Sequence, residues 1–216
     1  SRNIRNNLGI MKKIIINIGR QLGSGGRSIA ALLAKHYNIT AYDRKLIELA
    51  AKESGLSAEF FENADEKKSH GFFHSIFSNR SAANALTHSD SYLSNDTLFK
   101  VQSDIIRDLA EHESCIFIGR CADYILRDNP HCINLFFTAN LEDRVARMAS
   151  EKGITAEEAA ELIEKTDRRR AAYYNYYSGK TWGAAESYDL CINTSHLGHE
   201  ATAQMLIEYI DERIKS

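Results

Sequence analysis

The chain has 216 residues, 44% hydrophobic and 26% charged, enough to bury a sizeable core in one domain. Its formal net charge of -2 gives no global pull toward nucleic acid or an anionic membrane, and no apolar run has membrane-spanning length or the form of a signal-peptide core. A cytoplasmic protein with neither nucleic-acid nor membrane partners is expected.

The first eleven residues, Ser1 to Met11, read as a polar, poorly anchored extension, and 12–216 as one domain. The apolar run Ile14-Ile15-Ile16-Asn17-Ile18 is a strand that breaks into Gly19-Arg20-Gln21-Leu22-Gly23-Ser24-Gly25-Gly26-Arg27-Ser28 and continues as a helix to Tyr37. Ile39 to Tyr42 is a second strand ending at Asp43, and Arg44 to Ser54 has helical apolar spacing. The segment 63–95 is rich in Ser, Asn, His and charge, and reads as a variable surface insert. Further strands are expected at 114–118, 132–137 and 188–193, with helices at 96–112, 141–152, 155–177 and 198–214. Thr155 and Glu158 have the spacing of a capping box, and Leu206, Ile210 and Ile214, widened by Met205 and Tyr209, form a core-facing stripe. Apolar strands alternating with helices predict an α/β fold, a three-layer doubly wound domain around a parallel five-stranded sheet.

Cys115, Cys121, Cys132 and Cys191 lack metal-ligand spacing and read as buried reduced thiols, and His196 and His199 stand without further ligands. No structural metal is expected. The glycine loop between strand and helix is suited to phosphate, because glycines admit close approach and the helix amino terminus offers free N–H groups. The loop lacks the lysine of G-x-x-x-x-G-K-[ST]. With Gly26 as second glycine, Arg27 replaces that lysine and Ser28 keeps the hydroxyl, but Gln21 falls on the first glycine. With Gly25 as second glycine, Gly26 stands at the lysine position. A dinucleotide loop also fits, since Gly23-x-Gly25-x-x-Ser28 resembles G-x-G-x-x-G and Asp43 follows Gly23 by 20 residues. The loop alone leaves both readings open.

Ligands of open α/β sheets collect at the carboxyl ends of the strands, where this chain offers the glycine loop, Asp43 with Arg44, and Gly119 with Arg120. Farther on, Asp167-Arg168-Arg169-Arg170 precedes Tyr173-Tyr174-Asn175-Tyr176-Tyr177 and Trp182. Three consecutive arginines fan over about 200° of a helix, so one or two can face a site. Most of the aromatic residues are expected to pack on the domain.

The order of these motifs, with Phe117-Ile118-Gly119-Arg120, Ile133 to Ala139, Leu141-Glu142-Asp143-Arg144 and Asp189 to Ser195, resembles cytidylate kinases. It is more closely similar to the bacterial cytidylate-kinase-like family of P-loop nucleoside monophosphate kinases, from about Lys12 to the carboxyl terminus. The resemblance implies a P-loop kinase fold with a helical lid at 155–182. It implies that Gly23, Ser24, Gly25, Gly26, Arg27 and Ser28 bind the phosphates of ATP, with Ser28 near Mg²⁺. Asp43, Arg44 and Arg120 would bind the acceptor, and Arg168, Arg170 and Asp167 would belong to the lid. True cytidylate kinases carry the loop lysine and an Arg-Asp where this chain has Arg120-Cys121, and a proline-containing turn where it has the tyrosine run.

The leading expectation is a kinase moving the γ-phosphoryl of Mg²⁺-ATP to CMP, dCMP or a similar small acceptor, with Arg27, Arg168 and Arg170 as charge-neutralising groups. A nucleotide-binding regulator with weak turnover is the second, and on that reading Gly26→Lys would restore turnover. A dinucleotide-binding oxidoreductase ranks last, because it leaves Arg120 and the arginine-rich helix unexplained. Self-association is left open by the sequence.

Overall fold

In the computed structural model, which describes residues 13–43, Ile47 and 89–215, with side chains from Asp96 onward in the last stretch, the apolar runs form one parallel sheet. Strands β1 (Ile15–Arg20), β2 (Thr40–Tyr42), β3 (Cys115–Ile118), β4 (Cys132–Thr138) and β5 (Leu190–Asn193) lie in the order β2-β3-β1-β4-β5. Around them pack α1 (Gly26–Tyr37), α2 (Ser89–His112), α3 (Ala122–Ile125), α4 (Leu141–Lys152), α5 (Ala156–Ser178) and α6 (Gly198–Lys215).

Alternation along each strand divides the core between two faces. Ile16 and Ile18 pack with Ile116 and Ile118 against Ile29 and Leu33 of α1 and Ala203, Leu206 and Ile210 of α6. Ile15 packs on the opposite face with Cys115 and Phe117, against Ile105 and Ile106 of α2, Ala122 and Ile125 of α3 and Tyr174 of α5. The result is the three-layer α/β arrangement expected from the sequence. At the centre, Asn17 donates a 2.8 Å hydrogen bond from Nδ2 to Oδ1 of Asn134, its register partner on β4.

Several boundaries differ from expectation. Helix α2 begins at Ser89, so its first seven residues fall within the expected insert. The remainder of that insert (63–88), the extension 1–11 and Arg44 lie outside the described residues, as does all but Ile47 of the helix expected at 44–54. Strand β5 starts at Leu190 because Tyr188 closes a 3-10 turn over Ala185–Ser187. Cys191 is exposed rather than buried, since β5 is an edge strand. Met205 is likewise turned outward at 40% exposure. The capping box is formed: Thr155 Oγ1 accepts from the Glu158 N–H and the Glu158 carboxylate accepts from the Thr155 N–H.

Candidate active site

Strands β1 and β3 are neighbours whose carboxyl ends feed helices on opposite faces, α1 on one and α3 on the other. Diverging loops of this kind open a crevice between strand ends. Strand β3 pairs with β1 only as far as Ile18 opposite Ile118, whereas β1 continues against β4 through Arg20 opposite Phe137. Gly19 and Arg20 therefore run on past the end of β3. Arg20 shares the face of Ile16 and Ile18, the face covered by α1.

The glycine loop turns directly above this point. Gln21 N–H donates 3.0 Å to the Phe137 carbonyl, and the Ser24 hydroxyl donates 2.9 Å to the Gln21 carbonyl. Ser24 is fully buried, and its own carbonyl accepts a 2.7 Å bond from the Thr194 hydroxyl. Its side chain folds the loop and does not face the crevice. Gly25 is the N-cap of α1 at φ 81, a left-handed conformation that disfavours any side chain. A Cβ there would also stand 2.0 Å from Nε2 of His199. Because the helix starts at Gly26, the geometry follows the register in which Gly25 is the second loop glycine and Gly26 takes the lysine position. Arg27 and Ser28 occupy the exposed first turn of α1.

Four guanidinium groups converge on the crevice. Burial first, then Arg170, Arg27 and Arg120, lower the pKa of Arg20 from its ordinary 12.5 to about 9, with Asp43 opposing. Arg27 reaches Asp43 at 3.4 Å. Arg120 stands over the Tyr173 ring at 5.5 Å to its centroid. The backbone at Gly119, Arg120 and Cys121 is left-handed throughout, with φ of 79, 64 and 57. For Arg120 and Cys121 this is a strained conformation of the sort functional turns retain. Arg170 donates 3.0 Å from Nη1 to the Arg20 carbonyl, and burial and its arginine neighbours push its pKa down to about 10 against the pull of Asp167. At Arg20 the pull of Asp43 is outweighed by burial and by the guanidiniums of Arg170, Arg27 and Arg120. Charge so unbalanced, partly withdrawn from water, is relieved by a bound anion.

The arginine-bearing helix is fastened to the loop from behind. Asp167 accepts from the Leu22 N–H at 2.8 Å through Oδ1 and from Arg144 through Oδ2, and Arg170 lies 3.8 Å from its Oδ1. Arg144 Nε donates 2.7 Å to the Leu22 carbonyl, and Arg147 donates to the Gly23 carbonyl. Arg168 points elsewhere. It is paired with Glu164, is 76% exposed, and lines an open cleft of about 630 Å³ with Leu141, Glu164 and Trp182. As expected, most of the aromatic run packs inward: Trp182 meets Phe136 edge to face, Tyr177 stacks on Phe99, and Tyr174 bonds Asp123 at 2.6 Å, while Tyr176 is exposed.

Thus the structure assembles Gly23, Gly25, Gly26, Arg27, Asp43, Arg120 and Arg170 at one strand-end crevice. It places Asp167 behind the loop and Arg168 outside the cluster. Arg20, Arg144, Arg147 and His199 also stand at the site, although the sequence motifs assign them no role in it. Strand parity alone puts Arg20 on the α1 face, whereas the other three are located only by tertiary packing.

Comparison with known proteins identifies the family. The Cytidylate kinase-like family matches residues 15–196. The cytidylate kinase of Methanopyrus kandleri is 26% identical over 92% of this chain and 93% of its own, and that of Thermococcus kodakarensis is 24% identical over 92% and 88%. A crystal structure of an uncharacterized protein from Eubacterium ventriosum superposes with a TM-score of 0.70 at 29% identity, covering 92% of this chain and 99% of that one. Shikimate kinase from Bacteroides thetaiotaomicron, 12% identical with a TM-score of 0.51 over 92% and 98%, shares the P-loop kinase fold. The family model spans the glycine loop, the strand-end arginines and the arginine-bearing helix, and over that match the chain belongs to the cytidylate kinase-like family.

Proposed function

We propose that this protein is a nucleoside monophosphate kinase that transfers the γ-phosphoryl of ATP to CMP, dCMP or a closely similar acceptor. The observation that carries the reading is the convergence of Arg27, Arg120 and Arg170 on a glycine loop at the ends of β1 and β3. The loop fits a bound polyphosphate, because the amino end of α1 lies open at Arg27 and Ser28 and the guanidiniums of Arg20, Arg27, Arg120 and Arg170 gather beside it.

In this reading Gly23 and Gly25 to Ser28 hold the donor phosphates, while the buried Ser24 folds the loop beneath them. Arg120, set on a strained turn, and Asp43 hold the acceptor, with Arg44 next to Asp43 in sequence. Mg²⁺ would supply charge neutralisation to the donor phosphates; with Gly26 at the lysine position the hydroxyl position of the loop falls on Arg27, so Ser28, one residue farther along the exposed first turn of α1, is the hydroxyl left to stand near the ion. An acceptor phosphate oxygen attacks the γ-phosphorus as its bond to the bridging oxygen breaks, leaving ADP and the nucleoside diphosphate. The chain contributes positioning and positive charge, not a covalent intermediate. Arg170 is already at the crevice; Arg168, on the outer face of α5, contributes less. Asp167 is a positioning residue that holds the loop and α5 together.

ADP formation from Mg²⁺-ATP across a panel of nucleoside and deoxynucleoside monophosphates tests the proposal. Turnover dependent on one pyrimidine acceptor and lost in Arg170→Ala is expected. ATP binding without turnover on any acceptor would favour a nucleotide-binding regulator and overturn the kinase reading.

A further inference from the structure

The missing loop lysine leaves a specific space. A Cβ built on Gly26 would lie 2.9 Å from the Arg20 Cβ, 3.0 Å from its Cγ and 3.3 Å from Phe137 Cδ2. The stem of Arg20 therefore passes where a side chain at position 26 would begin. Its far end crosses the crevice, because a Cβ on Gly119 would lie 2.4 Å from Arg20 Nη1. Two glycines on different elements are thus matched to one arginine, Gly26 to its stem and Gly119 to its head. A lysine at position 26 could not coexist with that stem without moving it.

We infer that Arg20 supplies the phosphate-binding cation that a loop lysine supplies elsewhere, reaching from the end of β1 beneath the α1 amino terminus to lie between the donor-phosphate cradle and Arg120. The inference rests on the kinase reading for the identity of the phosphate, not for the placement of the side chain. Between the two phosphate positions, the guanidinium contacts the transferring group, to which its planar fork can offer two parallel N–H donors. It keeps its proton throughout and donates only hydrogen bonds. The three neighbouring guanidiniums that disfavour its charge in the free protein make a polyanion the natural counterpart.

The site also reverses the outcome foreseen for Gly26→Lys. That change puts two cations into one space and is expected to lower turnover, whereas Arg20→Ala/Gly26→Lys vacates the space and restores a cation from the other side. Three quantities are to be measured for wild type, Arg20→Ala, Arg20→Gln, Arg20→Lys, Gly26→Lys and the Arg20→Ala/Gly26→Lys double variant: calorimetric Kd for ATP, calorimetric Kd for inorganic tripolyphosphate, and kcat with the best acceptor. Melting temperatures accompany them.

Arg20→Gln is expected to weaken tripolyphosphate and ATP about tenfold and to lower kcat about 10- to 100-fold, the range for a charge-assisted hydrogen bond. The double variant is expected to recover at least tenfold over Arg20→Ala. Wild-type affinity and kcat in Arg20→Gln, or losses that merely follow a lowered melting temperature, would make Arg20 a structural strut and overturn the inference. If Arg20→Gln does not fold, Arg20→Lys decides: a kcat lowered at least threefold with unchanged melting supports the inference, and wild-type kcat overturns it. A wild type without acceptor-dependent turnover defeats the kinase reading alone, since the tripolyphosphate series still reports whether Arg20 holds phosphate.

Discussion

The Asp167 carboxylate accepts a 2.8 Å hydrogen bond from the backbone N–H of Leu22, joining the arginine-bearing helix to the glycine loop across 145 residues of sequence. The same carboxylate pairs with Arg144, whose side chain is 7% exposed against 15% for Asp167. Removing one partner of such a pair strands the other charge away from water, which costs about 3–5 kcal/mol when burial is complete. Asp167→Ala should therefore lower unfolding stability by about 3 kcal/mol, the lower end because Asp167 is partly solvated. Urea denaturation measures this directly. A change under about 1 kcal/mol, the size seen for surface pairs, would show that the clamp does not hold the loop.

Arg168 and Arg170 are two residues apart yet face different surroundings, so their substitutions should separate. Arg170→Ala removes a guanidinium from the crevice and its bond to the Arg20 carbonyl, and should lower kcat about tenfold or more. Arg168→Ala removes an exposed pair with Glu164, and should change stability by about 0.5 kcal/mol or less and kcat by less than Arg170→Ala. Steady-state kinetics on both variants settles the order, and a larger kcat loss at Arg168 would contradict it.

The sheet and most helices were legible because their signals are local. The apolar run of β3 is continuous and those of β1 and β4 are broken only by Asn17 and Asn134, and Thr155 and Glu158 form a cap within three residues of each other. The glycine loop and Arg120 were legible because they immediately follow strands. The functions of Arg20 and Asp167 were not, since their partners are set by tertiary packing. Parity assigns Arg20 a face, but only the early end of β3 and the bare backbone at Gly26 and Gly119 show where its guanidinium goes. The arginine run announces positive charge, yet the direction of each residue depends on the rotation of α5, which the bond between Asp167 and Leu22 fixes.

Arg120 should act on the acceptor and not on the donor. Its turn follows β3, with Arg20 between it and the donor loop. Arg120→Ala should raise the acceptor KM about tenfold or more while leaving the ATP Kd within about twofold. Initial rates with acceptor varied at saturating ATP, together with calorimetry of ATP alone, distinguish the two effects. An unchanged acceptor KM would remove Arg120 from the acceptor site.

His199 couples the loop to acidity. Its Nε2 is buried with no hydrogen-bond partner among the described residues, at the place where a Cβ on Gly25 would stand. Burial, then the nearby Arg147, hold its pKa below the ordinary 6.5, while Glu200 and Glu151 pull the other way. Between that lowered value and 6.5 the unfolded chain binds the proton more readily than the folded one, so stability falls as pH falls through this window. Above pH 6.5 the contribution is complete. His199→Gln has no imidazole to protonate, so its stability should decline less than that of the wild type between pH 7.5 and 5.5. Urea denaturation of both proteins at the two pH values gives the comparison, in which the other histidines cancel. Equal declines would mean that His199 is protonated as easily in the folded protein as in the unfolded chain, and that its contact with the loop does not exclude the charged form.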